Sequence, residues 1–151
     1  MTNAQTLRYA AAMAKSLLYE DIGTVFVQVV SGAPADPEWN AMLDRMVANE
    51  YPLIRVLVSA DGGSPNAAQR QRLADRIGKR PQRGAILTES AVVRGAITAI
   101  RWFNPSIDTR AFSPKAFDEA AAFLDVPNSE RAALRGAIDR MRRQLGLGPL
   151  A

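Results

Sequence analysis

The chain has 151 residues, 48% hydrophobic and 23% charged, the length and mixture of one soluble globular domain. It contains no histidine and no cysteine, which removes the commonest general base, the thiol nucleophile, disulfides and almost every transition-metal ligand set. Its net charge of +4, carried largely by arginine, permits an acidic partner without demanding nucleic acid. No stretch approaches the roughly 20 apolar residues that span a bilayer. The alanine-rich stretch at 9–14, broken by Lys15, does not read as a signal peptide, so a cytoplasmic location is expected.

In chain order, residues 6–18 predict a first helix, with Leu7, Ala10, Ala11, Ala14 and Leu17 or Leu18 at helical spacing. Residues 19–23 read as a short strand or turn. Residues 24–30, rich in β-branched side chains and almost wholly apolar, read as a strand covered on both faces. Asp36-Pro37-Glu38 predicts a helix start, with Asp36 as cap and Trp39, Met42, Leu43, Met46 and Val47 on its buried face through Asn49. A strand at 54–58 follows. Asp61-Gly62-Gly63-Ser64-Pro65 then predicts a glycine turn with Ser64 as the cap of a polar helix over 66–77, which buries only Ala67, Leu73, Ala74 and Ile77.

The strand at 85–88 leads to the most apolar helix, capped by Ser90, with Val92, Val93, Ala96, Ile97, Ile100 and Phe103 inward and Arg94 and Arg101 elsewhere. A last strand at 109–112 precedes Ser113-Pro114, a further cap-plus-proline start, with Phe117, Ala120, Ala121 and Leu124 inward. The final helix runs from about 127 to 145, with Ala133, Leu134, Ala137, Ile138, Met141 and Leu145 in phase. Alternating strands and helices imply crossovers, hence a single α/β domain: a mixed, mainly parallel central sheet with helices packed on it and additional helices at both ends. Its core is expected over about residues 20–125.

Four features are candidate sites. The turn of Asp61, Gly62, Gly63 and Ser64 before a helix N-terminus offers backbone N–H groups to an anion, although neither dinucleotide nor P-loop spacing is present; a tight turn with a serine cap is the simpler reading. Arg70, Arg72, Arg76, Lys79, Arg80 and Arg83 form a basic run, a docking patch or more simply a solvated face. The absence of aromatic side chains there weakens a nucleic-acid reading. Trp102, out of phase with the buried stripe and next to Arg101, has the composition of an interface anchor. Carboxylate pairs at Glu20-Asp21 and Asp118-Glu119 suit exposed positions better than a catalytic cleft, and no cofactor or metal set is expected.

The segments TVFVQVVSG, DPEWNAMLDRM, IRVLVSADGGSPNAAQ, RGAILTESAVVRGAITAIRWFNP and TRAFSPKAFDEAAAFL, in that order, resemble the STAS superfamily of sulfate-transporter and anti-sigma-factor-antagonist domains. The resemblance implies a non-enzymatic bacterial regulatory domain that binds a protein of kinase or sigma-regulatory type, with the interaction turn of Asp61, Gly62, Gly63 and Ser64 and the polar, arginine-rich helix behind it as the expected surface. It also implies a phospho-acceptor at the start of the helix after the third strand, here Ser64. In this chain the turn reads Asp-Gly-Gly-Ser where the family's pattern is aspartate, serine, a small residue and glycine. Three alternatives stay open: a carrier or sensor of a lipophilic or anionic ligand, with a cavity near Trp39, Trp102 or Phe112; an enzyme built on carboxylates and arginines; and a homo-oligomer joined through the end helices.

Overall fold

Each strand of the sheet lies beside its predecessor in the sequence, and that regularity organises the whole molecule. The computed structural model describes residues 15–150. Strands β1 (Leu17–Ile22), β2 (Val25–Val30), β3 (Ile54–Ala60), β4 (Gln82–Leu87) and β5 (Ile107–Phe112) form one sheet in the order β1-β2-β3-β4-β5. β1 pairs antiparallel with β2, and the other pairs are parallel. The helices are α1 (Asp36–Met46), α2 (Ala67–Ile77), α3 (Ala91–Phe103), α4 (Phe117–Phe123) and α5 (Asn128–Gln144).

Crossovers that all step the same way across a parallel sheet, with the same hand, place their helices on one face. Accordingly α1, α2 and α3 pack with Phe26, Val30, Ile54, Val56 and Ile107 in one apolar cluster. The neighbouring strand residues Val25, Val27, Val29, Leu57, Ala85 and Leu87 face the other way, onto α4 and α5. All six residues of β2 are buried, the two-sided burial expected of its apolar run.

Several local expectations are corrected. The expected first helix at 6–18 lies outside the described residues up to position 14. Leu17 and Leu18 belong to β1, where they pair with Val30 and Val29 in the antiparallel ladder. Asp36 is the first helical residue of α1 and not its cap, because its carboxylate turns to α2: it accepts from Gln69 Nε2 at 3.0 Å and Arg72 Nη1 at 3.3 Å. Ser64 does not cap α2. Asn66 does, since its side chain and that of Gln69 exchange bonds with each other's backbone N–H (2.8 and 3.0 Å), satisfying two free donors at once. Ala67, in the first turn of α2, is exposed, and Gln69 is buried in its place.

Ser90 caps α3 as its sequence suggests, accepting from Val93 N at 3.3 Å. Ser113, by contrast, accepts from Lys115 N in a turn, and α4 starts later, at Phe117. Ala133 is exposed on α5, whose buried line runs through Leu134, Ala137, Ile138 and Met141. Val92 and Phe103, expected inward on α3, are exposed near its two ends. At the end of α3 the next residue, Asn104, turns inward instead, donating through Nδ2 to Ala74 O (2.9 Å) and Gly78 O (2.7 Å) at the end of α2.

Polar groups fasten α2 to α1. Trp39 Nε1 donates to Gln69 O at 2.9 Å, Arg72 reaches Asn40 Oδ1 at 2.9 Å, and Arg76 pairs with Asp44 at 2.6 Å. The amide of Gln69 and then the guanidinium of Arg72 hold the Asp36 carboxyl below the ordinary carboxylate range. A depressed folded-state pKa stabilises the fold above the unfolded value, and that contribution disappears as pH falls through the folded value. Asp36→Asn is therefore expected to flatten the loss of stability on acidification, read from urea midpoints between neutral pH and about pH 3. Identical slopes for the two proteins would contradict the assignment.

Candidate functional site

Three neighbourhoods bring the candidate residues together or separate them. The first lies at the carboxyl ends of β3 and β4. Asp61 follows β3, donates its N–H to Val30 O at 2.9 Å, and accepts from Arg142 Nη2 at 2.8 Å. Arg142, 7% exposed on α5, also donates to Ser59 Oγ at 2.8 Å and Gly148 O at 2.7 Å. A buried guanidinium needs this degree of satisfaction, and here it anchors the base of the turn from beneath the sheet.

Gly63 is fixed by contact: a Cβ at that position would stand 1.9 Å from the carbonyl carbon of Gly32. The turn is thus pressed against the loop after β2. Ser64 is half-buried two residues ahead of the true cap, and its hydroxyl has no hydrogen-bond partner among the described residues. The neighbouring Pro65 carbonyl accepts from Arg70 Nη1 at 2.9 Å.

The basic run does not form one surface. Arg72 and Arg76 join α2 to α1. Arg80 closes the loop after α1 through Val47 O, Asn49 Oδ1 and Tyr51 O, at 3.0–3.1 Å. Arg83 projects from the other face of the sheet, pairing with Asp125 at 3.1 Å and lying 5.5 Å from the Phe123 ring centroid. Lys79 is exposed. Carboxylates are likewise distributed: Glu20 pairs with Arg140, Asp21 with Arg45, and Asp118 with Arg131. Among the described residues no three Asp or Glu side chains converge on a metal-sized site. Nor is any described helix long and apolar enough to cross a membrane.

The second neighbourhood is the outer side of α3. Trp102 is 84% exposed, Val92 66% and Phe103 53%. At about 100° per residue, Val92, Gly95, Ala99, Trp102 and Phe103 fall within roughly one third of the helix circumference, and Thr98, Arg94 and Arg101 border them. A shallow groove of about 350 Å³ runs along this border between Thr98, Arg101, Trp102 and Pro105. The sequence of α3 contains no carboxylate.

The third is a slot of about 90 Å³ between the sheet and the layer of α1, α2 and α3. Trp39, Met42 and Met46 line it from α1, Leu73 from α2, and Val93, Ala96, Ile97 and Ile100 from α3. Its floor includes Val58 and Ile86, which stay partly exposed although they belong to central strands. The cause is the polar character of α2, which offers only Leu73 where a larger apolar face would cover them. Gly63 and Pro65 also line it, so the glycine turn forms part of its wall. Sequence reasoning missed its polar members: Gln28, whose Nε2 meets Met42 Sδ at 3.4 Å, and Gln82 and Thr109, which bond to each other. A glycine inside a strand pattern, Gly84, was the available signal.

Compared with family models, with curated proteins and with solved structures, the chain gives no significant match.

If Arg142 holds the turn as described, Arg142→Met should strip Ser59 and Asp61 of their partner and lower the unfolding free energy by about 2–4 kcal/mol. Urea denaturation measures this directly, and a loss below about 0.5 kcal/mol would remove Arg142 from that role.

Proposed function

We propose that this protein is a STAS-like regulatory domain that works by binding another protein, with the outer side of α3 as the contact surface. One observation carries the reading: a tryptophan that is 84% exposed, next to exposed Phe103 and Arg101 at the end of α3, with exposed Val92 about 15 Å along the same side of the helix. Large apolar side chains gathered on a helix exposed to water are costly unless covered, and tryptophan and arginine are among the residues most enriched in binding hot spots. With two arginines and no carboxylate on α3, the complementary partner presents an apolar pocket or ridge bordered by Asp or Glu. The thin apolar width of the surface suits a reversible contact.

In this reading the Gly62–Ser64 turn is a separate control point, at the end of the sheet where α3 begins, with Trp102 at the other end of that helix. Ser64 remains the proposed phospho-acceptor, adjoining the backbone that Arg70 holds at Pro65. No catalytic step is assigned to the protein.

The partner is identified by placing a photo-crosslinking amino acid at Trp102, and its affinity is then measured with purified components. Trp102→Ala and Arg101→Glu are each expected to weaken binding by about tenfold or more, equivalent to about 1.4 kcal/mol or more, with unchanged thermal midpoints. Crosslinks that join only two copies of this chain would replace the regulatory partner with self-association. Full affinity in Trp102→Ala would move the contact away from α3.

A further inference from the structure

Beyond the contact surface on α3, and independent of it, the slot beneath α2 has the chemistry of a ligand site. Its lining contains no Asp, Glu, Lys or Arg, so a carboxylate or ammonium group would enter without a counter-charge and is disfavoured. The apolar members come from all three helices and from the central strands. At its floor lies a polar step made by Gln82, Gly84 and Thr109.

Strand register creates the step. Gly84 stands between Val56 and Thr109 on adjacent strands, and Gln82 is two residues along β4 on the same face. Thr109 Oγ1 donates to Gln82 Oε1 at 3.1 Å, which leaves the Gln82 Nε2 donor without a partner among the described residues and the Thr109 lone pairs available. Both residues are more than nine-tenths buried. A Cβ at position 84 would come within 2.9 Å of Gln82 Nε2 and of Thr109 Oγ1, so glycine keeps open the space beside both polar atoms. Gln82 Nε2 is not among the sealed, unpartnered polar atoms of the described residues, so it is reached from the open space of the slot, where one small group that both accepts and donates would satisfy the pair.

We propose that the slot binds a small uncharged apolar molecule bearing one hydroxyl, a phenol or compact alcohol, with that hydroxyl over Gly84 between Gln82 and Thr109. The hydroxyl accepts from Gln82 Nε2 and donates to Thr109 Oγ1, while the ring or branched chain lies on Val56, Val58 and Ile86. A volume of about 90 Å³ accommodates a molecule of this size class and excludes a full-length lipid chain.

The test compares p-cresol with toluene, its near-isostere without the hydroxyl, by saturation-transfer NMR and thermal midpoint on the full chain. Trp39 lines the slot, and the chain has two tryptophans, so a Trp102→Phe background makes Trp39 fluorescence a third readout. p-Cresol is expected to bind at least about tenfold more tightly than toluene. A roughly hundredfold excess over Kd should raise the midpoint by roughly 5–11 °C.

The double variant Gln82→Leu with Thr109→Val replaces both polar partners with apolar groups of similar shape. It should abolish the preference while retaining toluene binding. Ala96→Leu, which fills the slot from α3, should remove both ligands. The proposal is overturned if p-cresol gives neither saturation transfer nor a midpoint shift, as expected if the step holds water alone. It is also overturned if the double variant keeps the preference, or if folded Ala96→Leu binds as well as the parent.

Discussion

The same-direction passage of the chain across the sheet is the constraint from which the other features follow. With β2, β3, β4 and β5 in consecutive order and parallel, three crossover helices share one face. The middle position falls to α2, whose side chains are the most polar of the three. Its hydrogen bonds and ion pairs to α1 position it well, but Ala74, Ile77 and Leu73 are too few to cover the central strands completely. The slot is therefore a consequence of topology meeting composition, and Gly84 deepens it. The other face is closed more simply, because α4 and α5 cover it with Phe117, Leu124, Leu134 and Ile138, and Arg142 reaches through to the end of β3.

The arginine content, which from composition alone invites a basic surface, is largely internal connection. Arg72, Arg76 and Arg80 join α2 and its following turn to α1 and the loop after it, and Arg83 works on the opposite side of the sheet. Individually such exposed pairs contribute little, commonly under about 1 kcal/mol. Their value is positional, because a helix with a narrow apolar face needs polar contacts to choose its angle. Arg101 differs in lying on α3 beside Trp102, which no described element covers, while Arg94, exposed on the same helix, donates back to Thr88 O at 3.3 Å.

Much of the fold was legible in periodicity. The apolar run of β2, the inward stripe of α3 through Val93, Ala96, Ile97 and Ile100, and the burial of Phe117, Ala120, Ala121 and Leu124 follow from side-chain spacing alone. Caps were only partly legible. Ser90 caps α3 as read, whereas Asp36 turns its carboxylate to α2, Ser113 closes a turn ahead of α4, and Ser64 gives way to Asn66, two residues on, because the reciprocal bond with Gln69 satisfies two backbone groups instead of one. Trp102 was legible as an off-phase residue. The polar step was signalled only by Gly84: Gln82 and Thr109 meet beside it through strand register across a separation of 27 positions, and their pairing leaves no local mark. Arg142 was hidden in the same way, since its partners Ser59 and Asp61 lie 83 and 81 positions away.

The incomplete cover that α2 gives to the central strands connects topology, composition and chemistry, and it can be observed without choosing a ligand. Xenon enters apolar cavities according to size and accessibility. A crystal of the full chain pressurised with xenon should show the gas above Val56, Val58 and Ile86, bordered by Trp39 and Ile97. A xenon-free structure in which α2 side chains lie against Val58 and Ile86 would contradict the account.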